Sequence, residues 1–156
     1  AFEAIRARVL GRERDLTLLG QEVSEMRGKM RDNLGSKETL AGTASNAFES
    51  AQRFDFKQDA GGIVDIEFMV QYAALAWSHD HPQLLTYTDN IRILDGLREQ
   101  RLLPADDVAA LQEAYKALRS VAHRLALQKQ PGKVAGDQLV GERRTVMRIW
   151  QELGLA

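Results

Sequence analysis

The feature that most constrains this chain is a helix-length run from Ile63 to Ser78 whose apolar residues point in nearly every direction. Ile63, Val64, Ile66, Phe68, Met69 and Val70 are followed by Ala73, Ala74, Leu75, Ala76 and Trp77, so no polar face is left over. A helix that is apolar all round has to be enclosed by other elements. Gly61 and Gly62 open it, and Pro82 marks its break. The few polar side chains inside the run, Asp65, Glu67 and Gln71 with the Tyr72 hydroxyl, therefore need an explanation.

Amphipathic segments on either side supply the enclosure. Phe2, Ile5 and Val9 suggest a first helix ending near Gly11. A second is expected from Asp15 to Leu34, where Leu19, Val23, Met26, Met30 and Leu34 recur at spacings of three and four. Residues 36–52 are small and polar and read as a flexible loop or a marginal helical turn. The alternation in RFDFK, residues 53–57, predicts a short extended segment. Beyond Pro82, Thr88 and Asp89 cap a shorter helix carrying Ile91, Leu94 and Leu97. Pro104, Asp106 and Asp107 start a long one reaching Lys129, with Val108, Leu111, Tyr115, Leu118, Ala122 and Leu125 on one stripe. Pro131 and Gly132 end it, and a last helix is expected from Asp137 to Leu153. These segments predict an all-α protein, a helical bundle of about six helices around a central apolar one. One domain over residues 1–156 is expected, with no material for a sheet.

Composition narrows the function classes. With 21 basic and 22 acidic residues the chain has no charge excess to hold a nucleic acid or an anionic membrane. Cysteine is absent, which removes thiol chemistry, disulfides and Cys-ligated zinc. No apolar run reaches the roughly 18 to 20 residues of a membrane span, and a cytoplasmic location is expected. The basic bias of the C-terminal third (Arg124, Lys129, Lys133, Arg143, Arg144 and Arg148) reads as a solvated face or as a surface for an acidic partner or phosphate.

Chemistry then centres on the Gly-Gly turn. Asp65 and Glu67 lie about 160 degrees apart around a helix, so they do not clamp one ion between them. In one reading these acids sit near the helix start, favoured by its dipole and free amides, and pair with Arg or Lys from neighbouring helices. In the other, the turn lets backbone approach a ligand and the helix start presents amides to an anion, with Lys57 as a nearby cation. A Gly pair alone lacks the spacing of a phosphate loop or a dinucleotide fingerprint. His79 and His81 flank Asp80 without a further ligand cluster, so no metal site is expected, and His123 reads as a hydrogen-bonded packing residue. No Gly-x-Ser-x-Gly elbow occurs, and no catalytic residue is expected in this chain.

The stretch FDFKQDAGGIVDIEFMVQY, residues 54–72, resembles the helical domain of bacterial bifunctional glutamine synthetase adenylyltransferases, which add AMP to glutamine synthetase and remove it. EVSEMRGKM (22–30), TDNIRILDGL (88–97), AYKALRSVAHRLALQ (114–128) and ERRTVMRIWQ (142–151) continue the likeness in order; 36–52 departs from it by its greater length. DIEF-x-x-QY and the close after Trp150 are similar to the second, adenylylating half of that family. The uridylyltransferase that modifies PII has a similar helical segment, but it continues into further domains, and the C-terminal matches favour the adenylyltransferase.

The resemblance implies a nucleotidyltransferase palm upstream, absent from this chain, that binds Mg²⁺ and ATP and transfers AMP to a tyrosine of glutamine synthetase. Glutamine synthetase, the PII signalling protein and that palm are the implied partners. The matching positions Lys57, Asp59, Gly61, Gly62, Asp65 and Glu67 are then expected near the nucleotide, with Phe68 in the core. A different reading is a regulatory or docking bundle that binds glutamine synthetase or PII without touching nucleotide.

Overall fold

In the computed structural model, residues 2–34, 53–129, 133–135 and 139–155 are described. They form six α-helices: α1 (Phe2–Leu10), α2 (Leu16–Leu34), α3 (Ile63–Trp77), α4 (Asn90–Glu99), α5 (Ala105–Leu127) and α6 (Val140–Glu152). A 3₁₀ turn, Pro82–Leu85, joins α3 to α4. The all-α bundle expected from periodicity is present. The loop expected at 36–52, the break at Pro131 and Gly132 and the start of the last helix at Asp137 lie outside the described residues.

α3 is the centre of the bundle, and α2, α4, α5 and α6 all pack against it. Ile66, Met69, Val70 and Ala73 on α3 meet Leu94 and Leu97 of α4, Leu111 and Leu118 of α5 and Ile149 of α6 in one buried cluster. Local chemistry sets the ends, at Asp89 as expected and at Asp15 by a cap the spacing had not assigned. The Asp89 carboxylate accepts the Arg92 N–H at 3.0 Å and caps α4, and Asp15 does the same for Leu18 N–H at the start of α2. Among the described residues no helix is long and apolar enough to cross a membrane.

Three expectations change. Of RFDFK only Arg53–Asp55 (β1) is extended, Phe56 and Lys57 lying in a turn; β1 pairs antiparallel with Lys133–Ala135 (β2), Phe54 opposite Val134, so a small ribbon exists where no sheet was foreseen. Its partner lies far along the chain, and periodicity does not report such pairings. On α2, Leu19 and Val23 pack on the core, whereas Met26 and Leu34 are 63% and 57% exposed. The inner face of α2 runs through Arg27, one turn beyond Val23 and 0% exposed. Finally, His123 is exposed rather than packed.

α1 contributes no buried residue. Polar ties hold it: Arg6 donates to the Leu85 carbonyl, Arg14 to the Leu10 and Leu75 carbonyls at 2.7 and 3.3 Å, and the Ser78 hydroxyl to the Leu10 carbonyl at 3.0 Å. These donors satisfy carbonyls that a helix end leaves without partners.

Candidate functional site

The Gly-Gly junction is a closed hydrogen-bonded knot between β1 and α3. Asp55 accepts the N–H groups of Lys57 and Gln58 at 3.0 and 2.9 Å, folding the chain back after the strand. Asp59 returns the bond by accepting the Asp55 N–H at 2.9 Å. Four successive amides then donate within the chain: Gly61 to the Asp65 carboxylate (2.7 Å), Gly62 to the Asp59 carbonyl (3.0 Å), Ile63 to that of Phe56 (2.8 Å) and Val64 to that of Lys57 (3.1 Å). The amides that an anion would use at this helix start are thus engaged by the protein itself.

Both glycines answer to packing. Gly61 has φ +82°, and a Cβ there would stand 2.8 Å from the Arg143 carbonyl oxygen. A Cβ on Gly62 would stand 2.5 Å from the Phe56 carbonyl oxygen. The close approach that the Gly pair permits is therefore between segments of this chain, α6 included.

Asp65 closes the knot from inside. Its carboxylate pairs with Arg27 Nε at 2.5 Å, with side chains 4% and 0% exposed, and the same guanidinium donates to the Gln58 carbonyl. Each of these buried ions has two partners, while Arg27 Nη1 is buried without a hydrogen bond among the described residues. The Asp65–Arg27 contact is the pairing with a neighbouring helix that a buried acid demanded. Arg27 itself escaped the sequence reading. The available signal was its phase, since Leu19, Val23 and Arg27 recur every four residues and share one face.

Glu67 turns the other way. It borders an open, polar groove of about 820 Å³ between α3, α4 and α5, with Asn90, Tyr115, Arg119 and His123 also lining it. The Tyr115 hydroxyl accepts from Asn90 Nδ2 and from Arg119, both at 3.1 Å. That hydroxyl chiefly raises the Arg119 pKa, and the charge of Glu67 adds to it. The structure therefore brings Asp59, Gly61, Gly62 and Asp65 together in the junction and sets Glu67 apart. Lys57 is exposed, and its side chain has no hydrogen bond or ion pair among the described residues. Phe68 is partly buried against the core. His79 and His81 take separate partners, the Gly11 carbonyl and Gln100, each at 3.1 Å. Among the described residues no three His, Cys, Asp or Glu side chains are grouped to hold a metal.

Comparisons with known proteins agree with the sequence resemblance. The family model described as GlnD PII-uridylyltransferase matches residues 24–154. Since that match runs through the C-terminal stretch, this stretch does not by itself separate the two enzymes. Identity does: the chain is 68% identical over 99% of its length to a bifunctional glutamine synthetase adenylyltransferase/adenylyl-removing enzyme of Pseudomonas syringae pv. tomato. It is 65% identical over 100% of its length to that of Pseudomonas putida and 66% over 99% to that of Pseudomonas aeruginosa. It spans 16% of the length of each of these relatives. The chain belongs to the GlnD PII-uridylyltransferase family, and throughout its length it is similar to a fragment of the bifunctional glutamine synthetase adenylyltransferase/adenylyl-removing enzymes.

Proposed function

We propose that this chain is the helical domain that follows the adenylyltransferase palm in such an enzyme and supports transfer of AMP from ATP to a tyrosine of glutamine synthetase in the cytoplasm. What supports this reading is the 65–68% identity to such enzymes over the length of the chain, with the motif residues folded into a hydrogen-bonded knot between β1 and the central helix. A domain anchored this way positions what it contacts.

The donor set limits what this chain can offer a cofactor. Asp65 is buried with one oxygen on Arg27 and the other on the Gly61 amide, and Glu67 lies on another side of α3, so these acids do not fit Mg²⁺. In this reading Mg²⁺ and ATP are held by the palm, and of the motif only the exposed Lys57 ammonium is available to meet phosphate oxygens. Asp59, Gly61, Gly62 and Asp65 hold that lysine's turn in place.

The test is the full-length enzyme carrying Lys57→Ala. Adenylylation of glutamine synthetase at varied ATP is expected to lose about tenfold or more in kcat/KM for ATP, about 1.4 kcal/mol, with folding intact. Wild-type kinetics would remove the nucleotide-facing role of Lys57.

The engaged amides favour a second reading, a docking bundle that recognises glutamine synthetase or PII without nucleotide contact. Unchanged ATP kinetics together with weakened calorimetric binding of one of those proteins, after substitutions on the bundle surface, would select it.

A further inference from the structure

We infer that Arg14 is a latch, and that α1 opens from the bundle as a unit about residues 11–13 while the other helices stay folded. α1 is turned inside out. Its large apolar residues Phe2, Ile5 and Val9 are 76%, 53% and 42% exposed. Within the helix only Arg6 and Leu10 are even half-buried, one turn apart on the side that meets the 3₁₀ turn. The burial of apolar surface that fixes α3 at the centre therefore does little for α1. Its nine residues are also fewer than the roughly 12 to 15 at which an isolated helix becomes even marginally stable in water. Undocked, α1 has little of its own to keep it folded.

Its docking is concentrated at one end. The Arg14 guanidinium donates to the carbonyls of Val9, Leu10 and Arg12 at 3.1, 2.7 and 3.0 Å, and to that of Leu75, in the last turn of α3, at 3.3 Å. The Ser78 hydroxyl and His79 Nδ1 add bonds to the Leu10 and Gly11 carbonyls at 3.0 and 3.1 Å. Carbonyls in the last turn of a helix lack partners within it and form its negative pole. α1 and α3 bring two such poles together, and Arg14 Nη1 lies within 3.3 Å of a carbonyl oxygen from each. A cation there is attracted to both ends; without it the two negative ends face one another. Residues 11–13 lie outside any helix, and Asp15 caps α2 from beyond them, so α1 swings without unwinding α2. The inference is independent of whether Lys57 meets nucleotide, since no residue of the β1–α3 turn takes part.

The experiment is amide hydrogen exchange of the full-length protein, read by mass spectrometry on peptides covering residues 2–10 and 63–77 and corrected for intrinsic rates. Residues 2–10 are expected to exchange at least about tenfold faster than 63–77, as a locally opening unit does. Arg14→Ala is expected to raise exchange in 2–10 by about a further tenfold and to leave 63–77 unchanged, because the bundle does not open with α1. Arg14→Lys keeps the charge without the planar fork and is expected to fall between the two. Ile5→Gln, on the exposed side and still a good helix former, is expected to change nothing. Equal protection of α1 and α3 would overturn the inference. So would an Arg14→Ala effect that is absent from 2–10 or equally large in 63–77, or an Arg14→Lys variant no better protected than Arg14→Ala. Loosening of α1 by Ile5→Gln as great as by Arg14→Ala would also overturn it, since α1 would then be held through its apolar stripe.

Discussion

Asp65 and Glu67 stand two residues apart on the same helix and occupy opposite environments. Asp65 is sealed, with a buried guanidinium on one oxygen and a backbone amide on the other. Glu67 is half-buried at the edge of open grooves, felt by Arg119 through space. Two acids in one motif invite a shared role, such as a metal pair or a catalytic couple. Their geometry instead assigns one to holding the fold together and leaves the other facing surface where a partner can reach it. Similarity of motif therefore does not imply similarity of task, because a rotation of about 200 degrees around a helix separates residues i and i+2.

Substitutions can break this contrast, and Arg27→Ala has the largest expected effect. It leaves the Asp65 carboxylate buried without its counter-ion, and a loss of about 3 to 5 kcal/mol is expected from the denaturant midpoint of the chain. Arg27→Met combined with Asp65→Leu should cost less than the sum of the two single changes, which isolates the coupling between the partners. Additive costs would mean that the ion pair is not the element that closes the junction.

Next comes Gly61→Ala. The residue sits at φ +82° and its new methyl would meet the Arg143 backbone, so about 1 to 3 kcal/mol of destabilisation is expected on the same measurement. Neutral behaviour would show that α6 and the turn can separate without consequence. Smallest is Glu67→Gln, expected to change stability by no more than about 0.5 kcal/mol because its side chain remains partly solvated. A loss comparable to that of Arg27→Ala would erase the distinction between the two acids.

Much of the architecture was legible because it is written locally. The caps at Asp15 and Asp89 act within three residues of themselves. The stripe on α5 places Val108, Leu111, Tyr115 and Leu118 in the core as its period requires. On α2 apolar spacing alone grouped Met26 with Leu19 and Val23, whereas Met26 is 63% exposed and Arg27, drawn inward by the buried Asp65 carboxylate, takes the inner position. β1 found its partner 80 residues away (Asp55 to Arg53 opposite Lys133 to Ala135), a pairing that no local pattern announces.

For the junction, the residues of this chain by themselves determined that a helix starts after Gly62, that it must be enclosed, and that a buried Asp65 needs a cation. These follow from periodicity and from the free energy of burying charge, both properties of the residues themselves. Only the tertiary structure decided that the cation is Arg27, that the amides from Gly61 to Val64 are already spoken for, and that the missing Cβ atoms make room for Phe56 and Arg143. Each depends on segments brought together by folding, and a hydrogen bond or a steric contact acts over a few ångströms of space however far apart its partners lie in sequence.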